Sequence, residues 1–573
     1  MNAERLLEHY ERIADAPDAI PRLRRFVLDL AVRGKLVPQD PNDEPASELL
    51  KRIAQEKARL VKAGEIRKPK PLPAVDVPPF DLPQNWRWTR IREVASDRGQ
   101  EVPQATFTYI DVSAIDKEAG VVANPQVLEA SEAPSRARKI TRRGDVIYSC
   151  VRPYLLNVAV IDTEFDPAPI ASTAFAVLNG HGLVLPRYLW IVLRSPFMVE
   201  SVEENQRGQA YPAINDADFA VLPFPLPPLA EQRRIVSKVD ELMDLCDRLE
   251  AARQTREATR DKLTAASLAR LNASDPETFA DDARFALDAL PALTARADQI
   301  KHLRQTILNL AVRGKLVPQD PSDEPASELL KDISQTRKKL YAEKRIPKPK
   351  ELPSIDKLDL PFAMPSGWAW SMLGNLCYQV SDGPHFSPQY VPAEEGMPFL
   401  SARNIRLGSF DLSTVKHVSR ADHEEFCKRI RPEKDDIIYT KGGTTGIAKV
   451  NDLDFEFSVW VHLAVLRIEK KRLYPRYVEL ALNSPHCYAQ SQQYTQGTSN
   501  FDLGLTRMIK ITVPLPPLAE QHRIVAKVDA LLELCDRLEA SLTATAATRR
   551  RLLDALLAEA LAPADARELE AAE

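Results

Sequence analysis

Residues 442–446 read GGTTG after a strand-like run, and such a loop can cradle a phosphate through its backbone N–H groups. It lacks the Lys-Ser/Thr pair of a nucleotide-binding loop, which leaves a tight turn or contact with a phosphate backbone. Residues 433–441 read EKDDIIYTK, acids followed by a lysine as in some nuclease sites. Their counterpart earlier in the chain ends in Ser149-Cys150, so a strand followed by a turn explains the run better. Residues 76–80 read DVPPF, where Val77 separates the acid from the prolines that an amino-methyltransferase D-P-P-F motif needs beside it, and no F-x-G-x-G methyl-donor loop is present. His385 and His462 have neither ligand spacing nor a nucleophile partner, and His462, in an apolar run, reads as a satisfied core residue. The six cysteines, Cys150, Cys246, Cys377, Cys427, Cys487 and Cys535, are scattered without a C-x-x-C pair, and read as free thiols in a reducing compartment. Catalysis by this chain alone, with a metal or cofactor of its own, is not indicated.

The elements that hold these residues are duplicated. Residues 30–51 read LAVRGKLVPQDPNDEPASELLK, and 310–331 repeat them with Asn42 answered by Ser322 as the one difference. Residues from Pro225 read PLPPLAEQRRIVSKVDELMDLCDRLEA, and those from Pro514 read PLPPLAEQHRIVAKVDALLELCDRLEA. Between these blocks lies a weaker echo: Trp86 and Trp88 against Trp368 and Trp370, and GDVIYS (144–149) against DDIIYT (435–440). Constant frames around divergent interiors imply one shared scaffold and two separate specificities.

After each PLPPLAEQ block the apolar residues step by four and three: Ile235, Val239, Leu242, Cys246 and Leu249, then Ile524, Val528, Leu531, Cys535 and Leu538. This is the seam of an amphipathic helix with coiled-coil spacing, starting just past Pro227-Pro228 or Pro516-Pro517. From 229 to about 271 it could run on the order of 60 Å. Each half also opens with a helix, over 22–32 and 300–312, ended by Gly34 or Gly314. Residues 66–83 and 346–365, rich in Lys and Pro, read as extended linkers. The interiors show short strand signals at 146–148, 155–161 and 174–178, and at 437–439, 447–450 and 459–468. Short helices at 188–193 and 477–482 stop before Ser195-Pro196 and Ser484-Pro485. Mixed α/β globules follow.

At 573 residues the chain exceeds one core, and 44% hydrophobic and 28% charged residues are ordinary globular values. There is no membrane-length apolar run and no signal-peptide pattern, so a cytoplasmic protein without membrane contact is expected. The net charge of -4 gives nucleic-acid binding no support from composition, although a local basic face can sit inside a balanced total.

With its duplicated AVRGKLVPQDP frame, its two divergent interiors and PLPPLAEQ followed by RIV at 234–236 and 523–525, nearly the whole chain resembles a Type I restriction-modification specificity subunit. The resemblance implies an α/β (α+β) fold of two mixed target recognition domains, joined by long conserved helices that form an antiparallel coiled coil with an internal pseudo-two-fold repeat. The expected division is a helical region and linker (1–82), a first recognition domain (83–228), a central conserved region (229–364), a second recognition domain (365–517) and a C-terminal long helix (518–573). Each recognition domain would read one half of a bipartite site in double-stranded DNA, and the helices would space the readers and dock two modification (methyltransferase) subunits. Those subunits would use S-adenosylmethionine, and ATP/Mg-dependent restriction subunits would complete the complex. Adenine methylation and cleavage would then be holoenzyme activities, with no cofactor in this chain.

Base-edge reading calls for Arg, Lys, Asn, Gln, Ser or Thr on exposed loops, with aromatics to pack on sugars and methyl groups. The first interior offers Arg142, Arg143, Arg152, Tyr154, Arg207, Gln209, Tyr211 and Asn215. The second offers His385, Ser387, Tyr390, Arg403, Asn404, Lys441, Thr444, Thr445, Gln496, Thr498, Ser499 and Asn500. Gly208 and Gly497 hold equivalent positions in loops of different chemistry. The alternative is a duplicated coiled-coil scaffold that binds proteins through its helices and interiors; salt-sensitive binding to duplex DNA separates the two readings.

Overall fold

Two helices dominate the chain, Leu229–Ala273 and Leu518–Leu561, each starting directly after its proline pair. Proline has no N–H to give to a helix interior, so the pair fixes the first turn. The computed structural model describes residues 15–68, 71–208, 210–273, 277–355, 360–498 and 501–561. Their contacts divide the chain into two units, Met1–Arg256 with Ala546–Glu573, and Glu257–Thr545. Each long helix therefore begins in one unit and ends in the other.

In the first unit, helix Ala19–Val32 buries Phe26, Val27 and Leu30, and Ala46–Lys62 buries Leu49, Ile53 and Leu60 at helical spacing. The sequence reading missed this second helix, although Glu48 in its first turn and the Leu49–Ile53–Leu60 stripe mark it. Strand β1 (Arg87–Arg90) then pairs antiparallel with β11 (Pro223–Leu226), Trp88 opposite Pro225, so the two ends of the interior are tied together. Between them run β2 (Phe107–Ile110), β3 (Ile115–Asp116), β4 (Val121–Val122), β5 (Gln126–Leu128), β6 (Ala137–Ile140), β7 (Val146–Ser149), β8 (Val158–Val160), β9 (Pro169–Ser172) and β10 (Phe175–Leu178). They form a five-stranded sheet in the order β10-β7-β8-β4-β3 and a four-stranded sheet in the order β5-β2-β9-β6. Most pairs are antiparallel, while β4–β8 and β2–β9 are parallel, which makes both sheets mixed. Of the strand expected over 155–161, only β8 forms. Helix Pro186–Arg194 is buried through Tyr188, Leu189 and Ile191, and Ser195 caps the next helix, Pro196–Asn205, with proline at its tolerated first position.

The second unit repeats the plan with helices Ile300–Val312 and Ala326–Ala342. Its strands are β12 (Ala369–Met372), β13 (Cys377–Asp382), β14 (Met397–Leu400), β15 (Ile405–Arg406), β16 (Ser409–Phe410), β17 (Lys416–Val418), β18 (Ile437–Thr440), β19 (Ala448–Val450), β20 (Ser458–Val459), β21 (Leu463–Ile468) and β22 (Thr512–Leu515). β12 and β22 close the interior as β1 and β11 do, with Trp370 opposite Pro514. The main sheet runs β13-β21-β18-β19, beside a β17-β14-β20 sheet and a β15-β16 pair. The single strand expected over 459–468 is two strands, interrupted at Trp460, Val461 and His462.

The helix seam is a packing face, but its first turns lie in the core of their own unit. Ile235 and Val239 pack with Val27, Trp86 and Tyr188, with Leu242 against them, while Cys246 is buried and Leu249 half-buried. Ile524, Val528 and Cys535 are in the second unit's core, with Leu531 and Leu538 packed on it. The far ends pack as well. Leu553 and Leu556 meet Ala16 and Ala19 in the first unit. In the second, Asn309 donates to Asn272 at 2.8 Å, and Arg296 pairs with Asp261 at 2.9 Å and with Glu257.

Candidate nucleic-acid interface

The repeated blocks supply a polar clamp beneath each interior. Trp86 Nε1 donates to Glu231 at 2.9 Å, Gln39 donates to the same carboxylate at 2.6 Å, and Arg234 pairs with Asp43 at 2.6 Å. In the second unit Trp368 and Gln319 donate to Glu520 at 3.0 and 2.8 Å, and Arg523 pairs with Asp323 at 2.6 Å. Tyr188 and Tyr477 donate their hydroxyls to the carbonyls of Pro225 and Pro514, and Gln232 and Gln521 accept the amide N–H of Leu185 and Tyr474. Burial pushes the Glu231 and Glu520 carboxyls up, against the hydrogen bonds that lower them. Sequence reasoning placed these residues in a scaffold without seeing that they bond to one another; their identity in both copies was the available signal.

On this base, β7 delivers the chain into a loop that joins a second loop. Val151 and Arg207 both bridge to Ala213, Arg152 N–H donates to Pro212 O at 2.8 Å, and Ile214 N–H donates to Cys150 O at 2.9 Å. In the second unit β18 does the same. Gly442 and Gln496 both bridge to Asp502, Gly443 N–H donates to Phe501 O at 3.0 Å, and Leu503 N–H donates to Lys441 O at 2.7 Å. The two units thus build one backbone device with different side chains.

Arg152, Tyr154, Arg207, Tyr211 and Asn215 come together at this junction in the first unit. Tyr211 is 70% exposed with the Arg152 guanidinium 4.8 Å from its ring centre, and Arg207 pairs with Asp218 at 3.0 Å. Asn215 is exposed but engaged, since its side chain caps helix Asp216–Ala220. Arg142 and Arg143 are exposed at the other end of β7, in the turn stapled by buried Asp145, which accepts from Arg142 N–H at 2.8 Å and Arg98 at 2.6 Å. Behind the junction, burial pushes the Cys150 thiol up to about 12, which keeps it protonated at neutral pH.

In the second unit Thr444, Gln496 and Thr498 are exposed at the junction. Lys441, Thr445 and Asn404, expected as contact residues, are instead 5%, 4% and 1% exposed and hold the loops themselves. Lys441 lies 3.4 Å from Asp382 and 3.2 Å from Asp502 and donates to Val461 O at 3.0 Å. Thr445 bonds Thr495 at 3.0 Å, and Asn404 accepts from Ser401 N–H at 2.9 Å and donates to Asp411 O at 3.0 Å. A buried polar group must be paired, and these three already are. Exposed His385 is 3.2 Å from Asp382. Ser387 and Tyr390 lie on the loop after β13, with Lys416 Nζ 4.0 Å from the Tyr390 ring centre, and exposed Arg403 sits in the turn before β15. His462 is half-buried edge-on to Trp460, and burial lowers its pKa. Phe386 and Phe501, both exposed, are aromatics near these loops that were not singled out. Gln209, Ser499 and Asn500 lie outside the described residues.

Among the described residues no three His, Cys, Asp or Glu gather as a metal would require, and no helix is long and apolar enough to cross a membrane. A family profile described as the Type I restriction modification DNA specificity domain matches residues 138–259 and 365–546. The chain is 33% identical over 562 residues to the specificity subunit of the Type I restriction enzyme EcoAI of Escherichia coli, covering 94% of this chain and 93% of its relative. It is 31% identical over 579 residues to that of EcoEI, also of Escherichia coli, covering 95% and 94%. The crystal structure of the HsdS subunit from Thermoanaerobacter tengcongensis is similar at 25% identity and a TM-score of 0.43, over 84% of this chain and 98% of that one. The two matched segments each hold most of a long helix and part or all of the interior before it, and the chain belongs to the family of Type I restriction-modification DNA specificity subunits.

Proposed function

We propose that residues 83–228 read one half of a bipartite DNA site and residues 365–517 read the other, while the frames at 1–82, 229–364 and 518–573 space the two readers and dock the catalytic subunits. The observation that carries this reading is the repeated junction: the same bridges join the loops at Arg152 and Arg207 and at Gly443 and Gln496, with different exposed side chains. Equivalent backbone holds the loops at equivalent places, and unlike side chains select unlike bases. In the first unit the contacts fall to Arg152, Tyr154, Arg207 and Tyr211, with Arg142 and Arg143 as phosphate ligands. In the second they fall to Thr444, Gln496 and Thr498, with His385, Ser387, Tyr390 and Arg403 on neighbouring loops. Lys441, Thr445, Asn404 and Asn215 position those loops.

Two copies of one frame offer equivalent surfaces to two identical modification subunits, which bring S-adenosylmethionine and the adenine chemistry; ATP-dependent restriction subunits add cleavage. This chain contributes recognition and spacing in the cytoplasm. A genome-wide methylation map of a plain host that expresses the chain with its modification subunit tests the reading. One two-part motif with a constant gap is expected, and a folded complex that adds no methylated motif overturns it.

A further inference from the structure

Arg152 is anchored in an unusual way. Its backbone lies in the left-handed region, at φ 48°, where a side chain other than glycine is strained, and Gly443 occupies the equivalent place in the second unit at φ 73°. The strain is held by the loop junction, through the bond from Arg152 N–H to Pro212 O, next to Tyr211 in sequence. The guanidinium lies over the Tyr211 ring and has no carboxylate partner among the described residues, whereas Arg207 is held by Asp218.

A guanidinium held over a ring by cation–π attraction spends none of its N–H donors on a carboxylate and keeps them for another group. Two parallel donors match the two acceptors, O6 and N7, that guanine presents in the major groove. Adenine offers an acceptor beside a donor, cytosine a donor, and thymine one acceptor beside a methyl group. Resting on the half-site reading above, we infer that Arg152 reads a guanine in the half-site contacted by residues 83–228. The second half-site has no counterpart of this contact, because Gly443 has no side chain to make it.

The test uses the full chain in complex with its modification subunit. Arg152→Gly removes the side chain and relieves the backbone, so the variant is expected to melt no lower than wild type. In the methylation map it relaxes one G·C position in one half-site and leaves the other half-site and the gap unchanged. Replacing that guanine with 7-deazaguanine in a duplex weakens wild-type binding by roughly 5- to 150-fold and leaves Arg152→Gly unaffected. Arg152→Lys, which keeps the charge without the fork, also loses discrimination there. A wild-type motif that Arg152→Gly leaves unchanged, or relaxation at a pair other than G·C, overturns the inference alone. A wild-type complex that methylates no motif overturns the half-site reading and the inference together.

Discussion

Trp86 and Glu231 stand far apart in sequence, yet the indole N–H of one donates to the carboxylate of the other at 2.9 Å, under the strand pair that closes the first interior. Glu231 is 1% exposed and also accepts from Gln39. Glu231→Leu leaves the buried Trp86 indole N–H without an acceptor, while exposed Gln39 keeps Gly34 O and solvent, and should cost about 1–3 kcal/mol; Glu231→Gln keeps an acceptor oxygen and should cost less, about 0.5–1 kcal/mol. Urea unfolding of the two variants checks the order, and equal losses would show that packing, not the bonds, dominates the clamp.

This clamp marks where sequence reasoning stopped. Period and proline placement located the long helices, and the repeat located Trp86, Gln39 and Glu231 as a set, because a helix stripe and a duplicated word are local patterns. The pairing of those residues depends on how the chain ends meet, which no local pattern contains. Lys441, Thr445 and Asn404 show the same limit: their types suit DNA, but whether a polar side chain faces solvent or a neighbouring loop is decided by tertiary packing. Arg152 was legible by type, while its cation–π contact with Tyr211 and its left-handed backbone were not.

Gly34 has φ 67°, and a Cβ there would stand 2.3 Å from Pro83 Cγ, at the start of the first interior; Gly314 faces Pro365 in the same way. Gly34→Ala adds a backbone penalty to a steric one and should destabilise the protein by roughly 2–4 kcal/mol, and Gly314→Ala should do the same. Denaturant melts measure both losses. A loss under about 0.5 kcal/mol for either would mean that the linker yields without cost.

Lys441 and Arg143 should behave as opposites. Lys441→Met leaves buried Asp382 with Arg429 and exposed His385 as its partners and should lower stability by about 1–2 kcal/mol. With the fold intact at low temperature, the dependence of DNA affinity on salt should not change. Arg143→Ala, exposed in its turn, should leave the melt unaltered and lower the slope of log affinity against log salt by about 1. An altered slope for Lys441→Met would return that lysine to the DNA surface.

Lys57 donates to the carbonyls of Arg92 and Ala95 at 2.5 and 2.8 Å, and burial pushes its ammonium down to about 8, from an ordinary value of 10.5. Between those two pH values the unfolded chain binds more protons than the folded one, so stability from this group rises with pH across the window. Each tenfold difference in proton affinity between the states is worth about 1.4 kcal/mol. Wild type should therefore gain on Lys57→Met from pH 8 to 10.5, by melts of both at matched ionic strength. A constant difference would place the folded-state pKa at its ordinary value.

The spacer role of the long helices has a geometric test, and the division into units shows where to make it. One unit ends at Arg256 on the first helix and resumes at Ala546 on the second, so a heptad inserted after Arg256 and another after Thr545 leave the helix packing within each unit in place. Deleting a heptad near Ile235 or Ile524 would instead remove core residues and confound spacing with unfolding. Seven residues add about 10 Å of helix, or about 3 bp of duplex. If the helices set the distance between the readers, the doubly extended chain methylates the same two half-sites with a gap about 3 bp longer. A single extension, which mismatches the two helices, should lose specific methylation. An unchanged gap in the double variant would mean that contacts with the partner subunits, rather than the helices, fix the spacing.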